Sequence, residues 1–246
     1  MEIKRKNNRQ ANQLRETKIH LDYVKYAEGS CLIEVGETRL ICAVTVEEKV
    51  PLFLKETGSG WVTAEYNLLP YSTPLRVPRL SNQSGRSQEI QRMIGRSLRG
   101  ITVLRNLGER TFWVDCDVIQ ADGGTRTAAV TGAFVALTLA LNKLRQKNII
   151  RLPVLRDYLA GVSVGIVDGC HLLDLDYEED SRATVDFNVV MTGRGELVEL
   201  QGTGEARPFS RSELESLLEL AGTGIRAIVS LVRSILDEDT ALLFGQ

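Results

Sequence analysis

The chain has 246 residues, enough for one large or two small domains with a sizeable core. With 43% hydrophobic and 25% charged residues and a net charge of −2, it has an ordinary globular composition, and overall charge points to no partner. The longest uncharged run, residues 127–142, is too short to span a bilayer, and the four cysteines form no CxxC or zinc spacing, which excludes a membrane span and a zinc site.

Charge is unevenly distributed. Residues 1–110 carry 18 Lys/Arg against 12 Asp/Glu, and the remainder carries 12 against 20. Cys31, Cys42, Cys116 and Cys170 lie apart in apolar runs and read as buried free thiols in a reducing compartment. The N-terminus is charged and lacks an apolar signal core, so a cytoplasmic protein is expected.

In chain order, residues 1–13 are polar and read as a loose arm. Glu28-Gly29-Ser30 opens a hairpin whose strands cover 31–35 and 38–46, joined at Gly36-Glu37. Residues 47–60 read as loop and 61–69 as strand. Residues 71–85, with Pro74, Pro78 and a Ser-Asn-Gln-Ser-Gly cluster, read as a long surface loop. A helix is predicted over 87–103 from the spacing of Ile90, Met93, Ile94, Leu98 and Ile101. Its other face carries Arg92, Arg96 and Arg99, and Arg76 and Arg79 sit in the preceding loop. This pattern is either a solvated helix face or a surface for a polyanion, which arginine contacts bidentately.

Residues 111–119 read as a strand and 128–144 as a helix buried on most sides. Between them stands Asp122-Gly123-Gly124-Thr125-Arg126. A helix start offers unpaired N–H groups and partial positive charge, and paired glycines let an anion approach the backbone. From local pattern alone, a phosphate seat and a plain tight turn are equally admissible; neither Walker nor Rossmann spacing is present.

The second half predicts a strand–turn–strand over 161–166 and 170–177, then strands over 184–191 and 197–202. A long helix follows, with Ser210 and Glu213 as capping box and Phe209 and Leu214 as hydrophobic staple. Each half is thus a hairpin and strands followed by a helix, an α/β (α+β) two-layer fold with duplicated halves.

Asp174, Asp176, Glu178, Glu179, Asp180 and Asp186 form the densest carboxylate group. Such density needs solvation, paired cations or a metal. For Asp174, Asp176, Glu178 and Glu179 a solvated or ion-paired acidic turn is the favoured reading. For Asp180 and for Asp186, which lies inside an apolar strand, it is a Mg²⁺ or Mn²⁺ site. His20 and His171 read as structural, and no nucleophile–histidine pair is evident. A phosphate seat, a carboxylate metal site and arginines without a base match chemistry in which phosphate itself is the nucleophile.

The chain resembles the bacterial ribonuclease PH family over about residues 9–235. The matching stretches are 25–30, 60–66, Gly85-Arg86 with 89–92, 94–99, 107–110, Asp115-Cys-Asp-Val-Ile-Gln-Ala-Asp-Gly-Gly-Thr-Arg-Thr127, 177–181, 190–193 and 199–204. The resemblance implies a single RNase PH-type domain over residues 1–246: an arm at 1–13, a first half at about 14–150 and a second at about 151–246. It implies a phosphate-dependent 3′→5′ exoribonuclease that trims tRNA precursors, releases nucleoside diphosphates and runs in reverse. It implies phosphate binding by Arg86, Gly124, Thr125 and Arg126, a divalent metal on Asp180 and Asp186, and RNA contacts from among Arg76, Arg79, Arg92, Arg96 and Arg99. It also implies a homohexamer built as a trimer of dimers. Tyr71 stands where the family usually has arginine, the loop to Gly85 is shorter, and the N-terminal Asp-Gly-Arg pattern is reduced to Asn8-Arg9. The competing classes are a non-catalytic ring subunit and a hydrolytic nuclease.

Overall fold

The computed structural model describes residues 5–79 and 84–245. Residues 1–4 of the predicted arm and 80–83 of the predicted loop lie outside that set. Among the described residues nine strands form two sheets, one per half of the chain. The first contains β1 (Thr17–Leu21), β2 (Gly29–Val35), β3 (Thr38–Glu47), β4 (Trp61–Leu68) and β5 (Thr111–Gln120), in the order β1-β2-β3-β5-β4. The second contains β6 (Leu159–Val167), β7 (Cys170–Leu173), β8 (Val185–Thr192) and β9 (Leu197–Thr203), in the order β7-β6-β8-β9.

The halves share their parts but not their connectivity. β4 runs parallel to β5 and reaches it through α1 (Gly85–Ile101), whereas β8 and β9 form an antiparallel pair. A parallel neighbour needs a crossover and an antiparallel one needs only a turn. α1 starts two residues before the expected position because the Ser84 hydroxyl caps it, accepting the Ser87 N–H at 3.1 Å.

α2 (Thr125–Gln146) is the centre of the molecule. It packs against β2, β3 and β5 of one sheet and β6 and β8 of the other. A helix covered by both sheets has no polar face to present, so its sequence carries no clear amphipathic stripe. Folded, α2 is longer than the uncharged run inside it and apolar enough to cross a membrane by length and composition, yet it is almost wholly buried in the protein. All nine residues of β6 are buried, between α2 and α4 (Arg211–Ile235). α4 begins with the predicted Ser210–Glu213 capping box. Phe209 packs edge-on against Phe187.

Close approach of α2 to the first sheet depends on a small residue. A Cβ at Gly132 would lie 2.7 Å from Cys42 Sγ and 2.9 Å from Ile33 Cγ2. Cys31, Cys42 and Cys116 are buried, Cys170 is half-buried, and all four are free thiols.

Two expectations need correction. The strand predicted to run to residue 177 ends at Leu173; the backbone turns at Asp174 (φ +56°) and enters a short helix, α3 (Tyr177–Arg182). Asp176 caps α3 by accepting the Glu179 N–H at 3.0 Å, and Glu179 accepts the Asp176 N–H at 3.1 Å. The arm is not loose from Arg5 onward. Arg5 and Arg9 are buried, and Arg5 forks onto Glu179 at 2.7 and 2.8 Å. Arg9 meets Glu179 at 3.1 Å and Asp176 at 3.7 Å. The acidic turn is therefore an ion-paired cluster whose cations arrive from the other end of the chain.

We expect Gly132→Ala to cost about 1–3 kcal/mol by overpacking, read as a lower urea midpoint at constant m-value. An unchanged midpoint would contradict the tight contact of α2 with β3.

Candidate active site

β5 ends at Gln120, and the chain turns through Gly123 (φ +77°) and Gly124 (φ +67°) into α2. Both glycines occupy left-handed backbone that other residues avoid. At Gly123 a Cβ would also lie 2.5 Å from the Asp176 carbonyl carbon and 2.7 Å from the Tyr177 nitrogen, so the loop rests directly on the start of α3. Among the described residues no side chain caps α2. Its first N–H groups and the positive end of its dipole are left for something else.

That end opens into a cavity of about 460 Å³, of the size that holds small ligands. One wall comprises Gly123, Gly124, Thr125 and Arg126, with Arg86 from the first turn of α1. Facing them are Asp180 from α3 and Asp186 from β8, with Tyr177, Ser163 and Asn188 beside them. The Tyr66 hydroxyl donates to Thr125 Oγ1 at 2.8 Å. Burial pushes the Tyr66 pKa up, keeping that proton in place. Arg126 lies 3.4 Å from Gln201 Oε1 and 3.6 Å from Glu89 Oε1, partners too distant to occupy the guanidinium fully.

The two carboxylates are held at a cost. Burial raises the pKa of Asp180, and the charges of Arg86 and Arg126 oppose that rise. Burial also raises Asp186, with the charge of Asp180 adding to it. Asp186 Oδ1 is buried and has no hydrogen-bond partner among the described residues. An orphaned carboxylate oxygen beside a second carboxylate fits a hard divalent cation. Among the described residues no third acidic, histidine or cysteine ligand joins them. Such a donor set suits an ion that keeps several waters or takes substrate oxygens, as Mg²⁺ does.

The predicted RNA-facing arginines divide. Arg76 and Arg79 are exposed in the loop, and Arg92 is exposed on α1. Arg96 instead forks onto Glu199 at 3.2 and 2.7 Å. Arg99 donates to the Val62 carbonyl at 2.8 Å and lies 4.3 Å from the centre of the Trp61 ring. Arg99 thus bolts α1 to β4. His20 pairs with Glu34 at 3.1 Å, away from the cavity.

Sequence reasoning assigned no role to Tyr66, Ser163 or Asn188. Asn188 carried a signal, since two residues after Asp186 on a strand is the same face. Ser163 is its register partner on β6, a pairing visible only in the folded sheet.

Residues 13–141 match the model of the 3′ exoribonuclease family, domain 1, and residues 157–224 match domain 2. Ribonuclease PH of Syntrophomonas wolfei is 54% identical, covering 95% of this chain and 99% of its own. Ribonuclease PH of Moorella thermoacetica is 56% identical, covering 95% of each chain. Among solved structures, a chain of the Archaeoglobus fulgidus exosome with RNA bound to the active site superposes with a TM-score of 0.79 at 21% identity, covering 93% of this chain and 92% of that one. An archaeal exosome core chain gives 0.74 at 20% identity, covering 92% and 90%. At such identities the structures establish the fold. The chain belongs to the ribonuclease PH family of 3′ exoribonucleases.

Asp186→Asn should raise thermal stability at neutral pH, read as a higher melting temperature. The sign follows from the raised pKa. A carboxyl that titrates higher folded than unfolded costs stability while ionised, and the cost fades as pH falls through the folded value. The gain should therefore vanish in acid; a loss at neutral pH would mean that Asp186 is paired.

Proposed function

We propose that this chain is a phosphate-dependent 3′→5′ exoribonuclease that removes terminal nucleotides from tRNA precursors as nucleoside diphosphates and adds them back in reverse. The observation that carries the reading is the uncapped start of α2, flanked by Arg86 and Arg126, facing two carboxylates of raised pKa across one cavity.

Hydrogen phosphate sits on the N–H groups of Gly124 and Thr125, between Arg86 and Arg126. One of its oxygens attacks the terminal phosphorus. The bond from phosphorus to the preceding ribose 3′ oxygen breaks, and the proton of hydrogen phosphate leaves with that oxygen. The products are a nucleoside diphosphate and an RNA shortened by one. Asp180 and Asp186 would hold Mg²⁺ or Mn²⁺, which supplies charge neutralisation at the scissile phosphate. Arg86 and Arg126 stabilise charge on the attacking and transferred phosphates, and positioning does the rest. Arg76, Arg79 and Arg92 are left to contact the RNA backbone. The working unit is a cytoplasmic homohexamer, a trimer of dimers, in which each chain acts as one domain. The exposed side chains of Tyr26, Leu52 and Phe53 offer apolar surface for subunit contacts.

A non-catalytic ring subunit has no need of an anion seat sharing a cavity with two carboxylates of raised pKa, and this chain keeps Arg126, Asp180 and Asp186 together. A hydrolase has no need of the seat. Incubation of the pure protein with a 3′-tailed RNA and Mg²⁺ should therefore give turnover only when phosphate is added, with the diphosphate identified by mass. Turnover without phosphate supports the hydrolase, and none under either condition supports the scaffold. Arg126→Ala and Asp180→Asn should each lower the rate on the order of 10²–10³-fold without unfolding the chain. RNA affinity should fall with salt at a log–log slope of roughly −0.7 per backbone phosphate contacted.

A further inference from the structure

The glycine loop and α3 come from different halves of the chain, and the N-terminal segment lies behind both. Arg15 is buried there. Its Nη1 donates to the Asp122 carbonyl at 2.6 Å, and its Nη2 reaches the carbonyls of Gly123 at 3.4 Å and Leu175 at 3.3 Å. The same guanidinium forks onto Asp174 at 3.0 and 2.6 Å, and the Arg15 backbone N–H donates to Asp174 at 2.7 Å. One side chain therefore ties the anion loop to the segment leading into α3. Thr38, at the start of β3, holds the loop from the same side. Its hydroxyl donates to the Gly123 carbonyl at 2.7 Å and accepts the Asp122 N–H at 2.9 Å.

These contacts have a directional consequence. Among the described residues every peptide bond is trans, and across a trans peptide the C=O and N–H point in opposite directions. Fixing the carbonyls of Asp122 and Gly123 from behind turns the N–H groups of Gly123 and Gly124 the other way, toward the cavity these glycines line, so that the Gly123 N–H joins the seat on Gly124 and Thr125. Neither N–H has a protein acceptor among the described residues. Room for the guanidinium is kept by glycines: a Cβ at Gly124 would lie 2.8 Å from Arg15 Nη2, and one at Gly36 would lie 2.8 Å from Arg15 Cδ.

We infer that Arg15 and Thr38 are positioning residues for the phosphate co-substrate: they aim the loop N–H groups at it and fix its distance from the carboxylates of α3 and β8. The inference rests on the phosphorolytic reading above. Neither residue touches phosphate, so the test must separate positioning from general stability. Calorimetric titration of the full chain with inorganic phosphate, without metal, reads the seat directly, and KM values for phosphate and RNA read it in turnover.

In Arg15→Lys, which keeps the charge but loses the fork, and in Thr38→Val, which keeps the shape but loses the hydroxyl, phosphate Kd and KM should rise about 10–100-fold. KM for RNA should stay near that of the wild type, and Thr38→Ser should restore phosphate affinity. Thr38→Val leaves the ion cluster intact and decides the matter if Arg15→Lys does not fold. Folded variants with wild-type phosphate affinity overturn the inference even if their melting temperatures fall. A wild-type chain that binds no phosphate overturns it together with the phosphorolytic reading.

Discussion

The structure depends on a helix end that no side chain among the described residues caps. α2 is clamped between two sheets along its length, so its N-terminus cannot drift. An uncapped end of a fixed helix is a standing demand for an anion. The first half of the chain supplies that end and two arginines. The second half supplies two carboxylates that resist ionisation. The arginines and the carboxylates line one cavity of the size that holds a small ligand.

The carboxylates of residues 174–186 take two opposite courses. Burial works against the charge of Glu179, but the Arg5 fork and the Asp176 N–H hold its carboxyl below the usual range. Asp180, one residue on, is pushed the other way. The difference is geometric. Helix α3 turns Glu179 toward the buried arginines of the N-terminal segment and Asp180 toward the cavity. Buried ion pairs add little net stability, since desolvation offsets attraction, but breaking one leaves an uncompensated buried charge, so the paired arrangement is kept. Here that arrangement sets α3 against the glycine loop.

Much of this was legible in the sequence where local rules apply. The capping box at Ser210 and Glu213 located α4, and the glycine pair located the start of α2. The short helix α3 was missed because its six residues, four of them charged, give no apolar period, although Asp176 and Glu179 carried the spacing of a capping box. The arm at 1–13 read as loose because Arg5 and Arg9, like Arg15 just beyond it, look solvated by themselves. Their partners lie more than 150 residues away, and only folding brings them together. The arginine stripe of α1 illustrates the same limit. Helical spacing places Arg96 and Arg99 on one face, but Glu199 and Trp61, which engage them, come from other strands.

In the proposed reaction a seated phosphate, rather than water, cuts the terminal linkage. The most direct measurement follows inorganic phosphate carrying labelled phosphorus through a single turnover on a short RNA. The label should appear in the β-phosphoryl group of the released nucleotide. A released monophosphate without label would contradict it.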